Sequence, residues 1–85
     1  MEKNPTKITC SVNSPISEYV SKQGDMIILP GAEGELGILP NHMSLVAELK
    51  SGQITIYDAG QIIEHIDIKG GIAYVKETGV EVFLS

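Results

Sequence analysis

The hydrophobic positions of this 85-residue chain alternate with polar ones in short runs, which is the period of half-buried β-strands. In the first run, Ile8, Cys10 and Val12 fall on one face. Strands are predicted at residues 7–12, 16–20, 25–29, 43–49, 52–57, 61–68, 72–77 and 80–84. Residues 43–49 also nearly fit a helical stripe, but the segment is short and Ser51-Gly52 follows at once, which favours a strand. Within residues 61–68, the alternation places Ile62 on the same face as Ile66 and Ile68.

Clusters of Gly, Pro, Asn, Asp and Ser separate these runs and predict turns. They lie at residues 13–15, 21–24, 58–60 and 78–79, and the pair Gly70-Gly71 is expected to break or bulge the strand ladder. About eight closely spaced strands and no convincing helix predict an all-β fold, a two-sheet sandwich or flattened barrel of mostly antiparallel strands. A chain of this length supports one domain, so residues 1–6 are predicted to be a flexible N-terminus and residues 7–85 a single sandwich.

The stretch at residues 29–42 does not follow the strand pattern. Proline lies near each end of it, and glycine recurs at Gly31, Gly34 and Gly37. Proline fixes φ and lacks a backbone N–H, whereas glycine reaches conformations that other residues avoid. The stretch is therefore predicted to be a shaped loop that is neither helix nor regular strand.

The side chains of this predicted loop divide into two halves. Its second half carries apolar residues that we expect to anchor it in the core, namely Leu36, Ile38 and Leu39. Its first half carries Glu33 and Glu35, and residues two apart in an extended chain face the same side. We therefore expect both carboxylates to point outwards together.

Composition narrows the classes of partner. The net charge is −5, with 11 acidic and 6 basic residues, and Trp is absent. Nucleic acids and anionic membrane surfaces bind basic patches, so neither is expected here. No apolar run approaches the length of a membrane span, so direct insertion into a bilayer is not expected either.

No pattern for catalysis or cofactor binding is convincing. The glycine stretch lacks the Lys and Ser/Thr of a phosphate-binding loop, and its glutamates would repel phosphate. Glu33, Glu35 and His42 match no metal-binding spacing, and Cys10 lies in a predicted strand where burial without reactivity is the expectation. We therefore predict no enzyme, no catalytic residue, no metal and no cofactor. His42 is equally compatible with a turn and with a protein contact.

The residues at 33–42 read EGELGILPNH and closely resemble the signature of the ε subunit of F-type ATP synthases, called δ in mitochondria. The likeness covers nearly the whole chain from about Lys7. It includes the Gly70-Gly71 pair and the closing strand at residues 80–84. It implies the N-terminal β-sandwich of that family, whose complete chains usually continue into two C-terminal α-helices that this sequence does not contain.

The resemblance further implies a non-catalytic rotor subunit of the central stalk, which binds the γ subunit and the c ring and couples proton flow to ATP synthesis. Such a subunit is peripheral, on the cytoplasmic face of the bacterial inner membrane or on the matrix or stromal side of an organelle membrane. The alternative is a free-standing β-sandwich module that binds a ligand through the glycine loop.

Carried over residue by residue, the resemblance implies three sets of positions in this chain. The c-ring contact comprises Glu33, Gly34, Glu35 and Leu36. The γ contact comprises Ser14, His42, Met43, Leu45 and Val46. The structural glycines are Gly31, Gly34, Gly37, Gly70 and Gly71.

Overall fold

The computed structural model describes residues 7–14, 19–41, 43–77 and 79–85. These residues form nine strands: β1 (Ile8–Asn13), β2 (Tyr19–Gly24), β3 (Met26–Gly31), β4 (Gly34–Ile38), β5 (Leu45–Leu49), β6 (Gly52–Asp58), β7 (Gln61–Ile68), β8 (Gly71–Lys76) and β9 (Gly79–Leu84). No helix occurs in the part of the chain that the structure describes. The predicted flexible N-terminus, residues 1–6, lies outside the described residues.

The strands pair in the order β2-β1-β9-β8-β5-β3-β6-β7, with β4 attached to β3. β5 and β3 share only the pairing of Gly31 with Leu49, and the sheet folds into two layers at this corner. We call β2-β1-β9-β8-β5 sheet I and β4-β3-β6-β7 sheet II. Only β1 and β9 run parallel among the described pairs. The predicted all-β sandwich or flattened barrel of mostly antiparallel strands is therefore confirmed.

The core lies between the two layers. The side chains of Ile, Leu and Val fill it, and no polar or charged residue among those described is buried. In the first strand, Ile8, Cys10 and Val12 are all buried, as their alternation predicts. The strands at the two ends of this order, β2 and β7, also approach each other, since the Lys22 Nζ atom lies 3.9 Å from Glu64 Oε1.

The predicted turn at residues 21–24 is wrong. These residues belong to β2, which pairs with β1 without a break from Ser11↔Ser21 to Ile8↔Gly24. Turn-forming residues tolerate an extended conformation when a neighbouring strand supplies continuous backbone pairing, and context overrides their weak preference. Residues 16–18 of the predicted second strand lie outside the described residues.

The predicted loop at residues 29–42 is largely a β-hairpin, so the loop interpretation is wrong. β3 continues through Pro30 to Gly31, and β4 pairs with it from Gly31↔Gly34 to Ile27↔Ile38. Pro30 lies next to the end of its strand, where the lost donor matters little, and its carbonyl accepts a hydrogen bond from the Lys50 N–H at 2.9 Å.

The side chains of the second half of that stretch also differ in part from expectation. Ile38 is buried and Leu36 packs against the core, as predicted. Leu39 follows the end of β4 and is mostly exposed, so its predicted anchoring role is wrong. Once the strand has ended, the alternation that directs its side chains inwards no longer applies.

The predicted face of Ile62 is wrong because of a β-bulge. The register of β6 and β7 shifts so that Ile56 pairs with Glu64 but Tyr57 pairs with Ile62. One extra residue in β7 reverses the alternation beyond this point. Ile62 is therefore largely exposed, while Ile66 packs against the core and Ile68 is buried.

Candidate functional site

The β3–β4 hairpin turns at Ala32 and Glu33, between the paired Gly31 and Gly34. A Cβ atom on Gly31 would lie 2.5 Å from the Gly34 carbonyl oxygen, which is closer than any real side chain approaches. Gly34 has φ of 135°, a conformation that L-residues rarely adopt. The turn therefore requires glycine at both ends, for a close approach at the first and for backbone conformation at the second.

Backbone groups tie this turn to β5. The Ala32 N–H donates to the Glu48 carbonyl at 2.8 Å, and the Lys50 N–H donates to the Pro30 carbonyl at 2.9 Å. Backbone hydrogen bonds between well-packed segments hold a fixed geometry without using any side chain. The position of the turn relative to β5 is therefore set by the sheet itself.

A groove lies between the β3–β4 turn and β5. It has a volume of about 600 Å³, and residues 31–36 and 45–48 line it. The whole predicted c-ring set, Glu33 to Leu36, thus meets Leu45 and Val46 of the predicted γ set. In the sequence these two sets are separated by residues 37–44, the end of β4 and the segment before β5.

The charge of this groove is uniformly negative. Glu33, Glu35 and Glu48 line it and are exposed, and none of its described lining residues is a Lys or an Arg. Neither hydrogen bonds nor ion pairs of the described residues engage the carboxylates of Glu33 and Glu35. The predicted outward orientation of these two side chains agrees with their exposure, and both are accessible to a cationic partner.

The remaining predicted glycines differ in what they do. At Gly37 a Cβ atom would meet only the Ile28 side chain, at an ordinary 3.6 Å. Gly70 and Gly71 connect β7 to β8, and a Cβ on Gly71 would lie 2.4 Å from the Phe83 carbonyl oxygen. Gly71 is thus confined by the neighbouring strand, whereas Gly37 simply leaves the outer face of β4 flat.

The predicted γ residues do not form one cluster. Met43 precedes β5 and is 80% exposed, and Val46 lies in β5 itself. Ser14 follows the last residue of β1, which is separated from β5 by β9 and β8. His42 lies outside the described residues. The structure therefore places Ser14 and Met43 at opposite ends of sheet I.

Sequence reasoning missed the outer face of sheet I. Ile72, Tyr74 and Phe83 are exposed there, while Ala73 and Val82 beside them are buried. The alternation that identifies β8 and β9 as strands also assigns each of their residues to one of the two faces of the sheet, and apolar residues occur on both faces. An apolar residue on the outward face was the available signal.

The described residues offer little for catalysis. Cys10 is buried, and burial raises the pKa of its thiol to about 12, the opposite of what an activated nucleophile needs. The His65 Nδ1 atom lies 3.2 Å from the Thr55 hydroxyl on the outside of sheet II, far along the chain from any cysteine. Within the described ranges, no three His, Cys, Asp or Glu side chains are grouped to hold a metal ion.

Long apolar helices that could cross a membrane do not occur among the residues that the structure describes. The candidate site comprises the groove between the β3–β4 turn and β5, together with the outer face of sheet I.

Comparisons with known proteins agree with the resemblance of residues 33–42. A family model described as ATP synthase, Delta/Epsilon chain, beta-sandwich domain, matches residues 7–85. The ATP synthase epsilon chain of Granulibacter bethesdensis is 39% identical over 62 residues, 73% of this chain and 46% of that protein. The ATP synthase epsilon chain of Caulobacter vibrioides is 37% identical over 76 residues, 89% of this chain and 87% of that protein.

A solved structure shares the fold. A chain of the Euglena gracilis mitochondrial ATP synthase, in a structure of its OSCP, F1 and c ring, superposes with a TM-score of 0.83 at 23% identity. The match covers 98% of this chain and 53% of that one. Apart from the Caulobacter protein, the chain spans about half the length of several of the curated relatives it matches. The family match and these identities show that the chain belongs to the β-sandwich domain family of ATP synthase delta and epsilon chains.

Proposed function

We propose that this chain is the β-sandwich of a non-catalytic central-stalk subunit of a proton-translocating F-type ATP synthase. It binds the γ subunit and the c ring and couples proton flow to ATP synthesis. Family membership supports the class of protein. One observation supports assigning the contact to particular residues: among the described residues, backbone hydrogen bonds tie the β3–β4 turn to β5, and none engages the carboxylates of Glu33 and Glu35.

The c-ring contact is the turn formed by Glu33, Gly34, Glu35 and Leu36. A cationic loop on the ring would face two exposed carboxylates, and the small Gly34 allows the two backbones to approach closely. An exposed ion pair is worth about 0.2–1 kcal/mol, so these charges orient the contact and contribute little to its strength. Leu36 packs against the core and connects the turn to the body of the sandwich.

The γ contact comprises Ser14, His42, Met43, Leu45 and Val46. The exposed side chains of Met43 and Val46 supply apolar area, which is the main source of affinity at a protein interface. Val46 also lines the groove beside the turn. A partner bound at β5 therefore sits directly next to a partner bound at the turn.

The mechanical role follows from packing. Two sheets whose inner side chains interlock have the density of an organic crystal and deform little under load. The turn is bonded through its backbone to β5, so a force on Glu35 reaches the γ contact through sheet hydrogen bonds. This role needs no cofactor and no catalytic group in the chain itself. The subunit acts at the membrane periphery, on the cytoplasmic, matrix or stromal side.

Calorimetric titration of the 85-residue chain against the purified γ subunit of the same organism tests the proposal. We expect saturable binding that Val46→Glu weakens by about tenfold or more, because a charge would enter an apolar contact. His65→Glu, an exposed change on sheet II, serves as the matched control and should bind like the parent chain. Absence of saturable binding by the parent chain would contradict the proposal.

The free-standing ligand-binding module has only the open groove in its favour. That groove is lined by the same residues that the rotor function assigns to partners, and no aromatic residue is among them. We therefore do not propose the module as a second function.

A further inference from the structure

We infer that the outer edge of β7 pairs with the same edge of a second copy of this chain. Sheet II then continues, antiparallel, across a two-fold axis at Ile66. This pairing concerns the free chain and goes beyond the proposed function, since no other subunit takes part in it. It uses the strand edge at residues 64–68, which belongs to neither of the proposed contacts.

The edge of β7 is unpaired within the described part of the chain. β7 is the last strand of the sheet order, and no described strand pairs with its outer side. Such an edge presents a row of backbone N–H and C=O groups that can pair with another chain. β2, at the other end of the order, packs against β6 and reaches β7 through Lys22, whose Nζ atom lies 3.9 Å from Glu64 Oε1. The described strands therefore leave β7 unpaired after Glu64.

Three described strands end the sheet order or branch from it, and they differ in the features that oppose pairing with another chain. β4 has five residues and contains Gly34 and Gly37, and β2 carries Lys22. Short length, glycine and edge lysines all discourage such pairing. β7 is the longest described strand, with eight residues, and it contains neither glycine nor proline. Because its bulge lies near its start, residues 64–68 keep a regular register.

The charges on this edge select one register. Residues of the same face must lie opposite each other, since the two sheets share their inner and outer sides. An axis at Asp67 would bring the two Asp67 carboxylates together, and an axis at His65 would bring the two imidazoles together. An axis at Ile66 sets each His65 opposite Asp67 of the second copy. Axes nearer to either end of β7 leave fewer of its residues paired.

Contacts within each copy already hold both members of this pair. The Nδ1 atom of His65 lies 3.2 Å from the Thr55 hydroxyl, which leaves Nε2 for a second partner. Gln53 Nε2 donates to Oδ1 of Asp67 at 3.0 Å, which leaves Oδ2. Side chains held in this way lose less conformational entropy when they meet a partner. Two symmetric pairs of His65 with Asp67, one on each side of the axis, thus give the edge its charge complementarity to a second copy.

The size of the contact determines the kind of dimer to expect. Five paired residues on each copy are far fewer than the roughly 20–30 of a standard interface, so the dimer should be weak and form at high protein concentration. β3 and β6 separate β7 from β4, which begins at the β3–β4 turn. The dimer therefore leaves the proposed c-ring contact open.

Sedimentation equilibrium of the 85-residue chain at concentrations up to about 1 mM tests this pairing. The double variant His65→Lys with Asp67→Lys makes both positions positive, and His65→Glu makes both negative. Self-pairing of either variant then brings like charges together. Glu77→Lys, an exposed charge change just after β8, is the matched control. Thermal unfolding of each variant verifies that the fold is intact.

We expect the parent to dimerise and each charge variant to dimerise about tenfold more weakly, because like charges directly opposite each other destabilise a strand pair. An equimolar mixture of the two variants should regain the association of the parent, since opposite charges then face each other. Glu77→Lys should associate like the parent.

A parent chain that stays monomeric at the highest concentration would overturn the edge pairing. Self-association that the charge variants leave unchanged, or that their mixture does not restore, would overturn it as well. Binding to the γ subunit is a separate measurement, so none of these results decides the proposed function.

Discussion

The β3–β4 turn and the β6–β7 turn each join two antiparallel strands of sheet II through two residues, Ala32-Glu33 in the first and Ala59-Gly60 in the second. The first is held by backbone bonds to β5. Side chains hold the second. The Asp25 carboxylate accepts a hydrogen bond from the Ala59 N–H at 2.9 Å, and the carboxylate of Asp58 pairs with Lys7.

Because different groups hold the two turns, the carboxylates near each turn also differ in whether they are engaged by other described residues. At the β6–β7 turn, Asp58 pairs with Lys7, and Asp25, from the connection between β2 and β3, accepts from the turn backbone. In the β3–β4 turn, backbone groups do the same work, and the charges of Glu33 and Glu35 stay available for a partner. Two hairpins of similar length thus differ. Carboxylates at the β6–β7 turn stabilise the sandwich, whereas those of the β3–β4 turn are exposed and, under the proposed function, contact a partner.

The turns also place their unusual backbone angles differently. Ala59 has φ of 54° and Gly60 has φ of 78°, which is the left-handed pair of a type I′ hairpin turn. In the first turn the unusual angle falls on Gly34 alone. The second turn therefore holds an alanine in a conformation that costs an L-residue about 1–2 kcal/mol.

The largest expected effect comes from filling the close approach in the first turn. We expect Gly31→Ala to lower the free energy of unfolding by about 2–3 kcal/mol, because its Cβ would overlap the Gly34 carbonyl. Gly37→Ala, six residues away on the same hairpin, is the control and should be neutral or stabilising by up to about 1 kcal/mol. Chemical denaturation measures both, and equal losses would show that the close approach does not matter.

Removing one carboxylate that holds the β6–β7 turn and one carboxylate of the β3–β4 turn tests this difference. Asp25→Ala deletes the acceptor of the Ala59 N–H, and we expect it to cost about 1 kcal/mol of unfolding free energy. Glu33→Ala deletes a carboxylate without a partner and should change that free energy by less than about 0.5 kcal/mol. The comparison fails if denaturation shows Glu33→Ala to be as costly as Asp25→Ala.

A third change addresses the strained alanine of the second turn. Ala59→Asn should raise the free energy of unfolding by about 0.5–1 kcal/mol, since asparagine tolerates the left-handed conformation better. Ala32→Asn makes the same substitution in the first turn, where φ is not positive, and should bring no gain. The melting temperatures of the two variants, compared with that of the parent chain, test this prediction. A gain at both positions would contradict the assignment of strain to Ala59.

The smallest effect concerns pH. The hydrogen bond from Lys7 to Asp58 raises the pKa of Lys7 above its usual value. This contribution to stability is therefore present below pH 10.5 and is lost as the pH rises through the folded-state pKa. We expect the parent chain to lose slightly more stability than Lys7→Met between about pH 9 and about pH 11.5. Both proteins keep Cys10, so its titration affects them equally. If the free energy of unfolding falls with pH at the same rate in both proteins, the Lys7–Asp58 pair contributes nothing to stability.

The sequence predicted most of this fold because burial follows alternation. Residues such as Cys10 and Val12 alternate with polar neighbours, and the structure buries both. The wrong predictions concern residues whose structure depends on the register between strands or on pairing with distant parts of the chain. The reversal at Ile62 depends on a bulge between two strands, and no pattern within a single strand reveals it. Likewise, Pro30 and Gly31 carry loop preferences, but pairing with β4 and β5 makes them strand.

The candidate site was predictable to different extents. The signature at residues 33–42 identified the turn and its carboxylates through resemblance, although not its hairpin geometry. The patch at Tyr74 and Phe83 was not predicted, because its members come from different strands and only the register brings them side by side. Sequence alternation gives the face of each residue but not its neighbours across the sheet.

The most direct test of the division between the two turns measures binding to the purified c ring. The parent chain is titrated at low and at physiological salt, beside Glu35→Gln and the control Asp58→Asn. We expect parent affinity to fall with salt, since exposed charges are screened. Glu35→Gln should bind about two- to fivefold more weakly at low salt, with a smaller salt dependence. Asp58→Asn should bind like the parent and unfold more easily. The account would be contradicted if both variants lowered the affinity for the c ring equally, or if the affinity of the parent chain did not change with salt concentration.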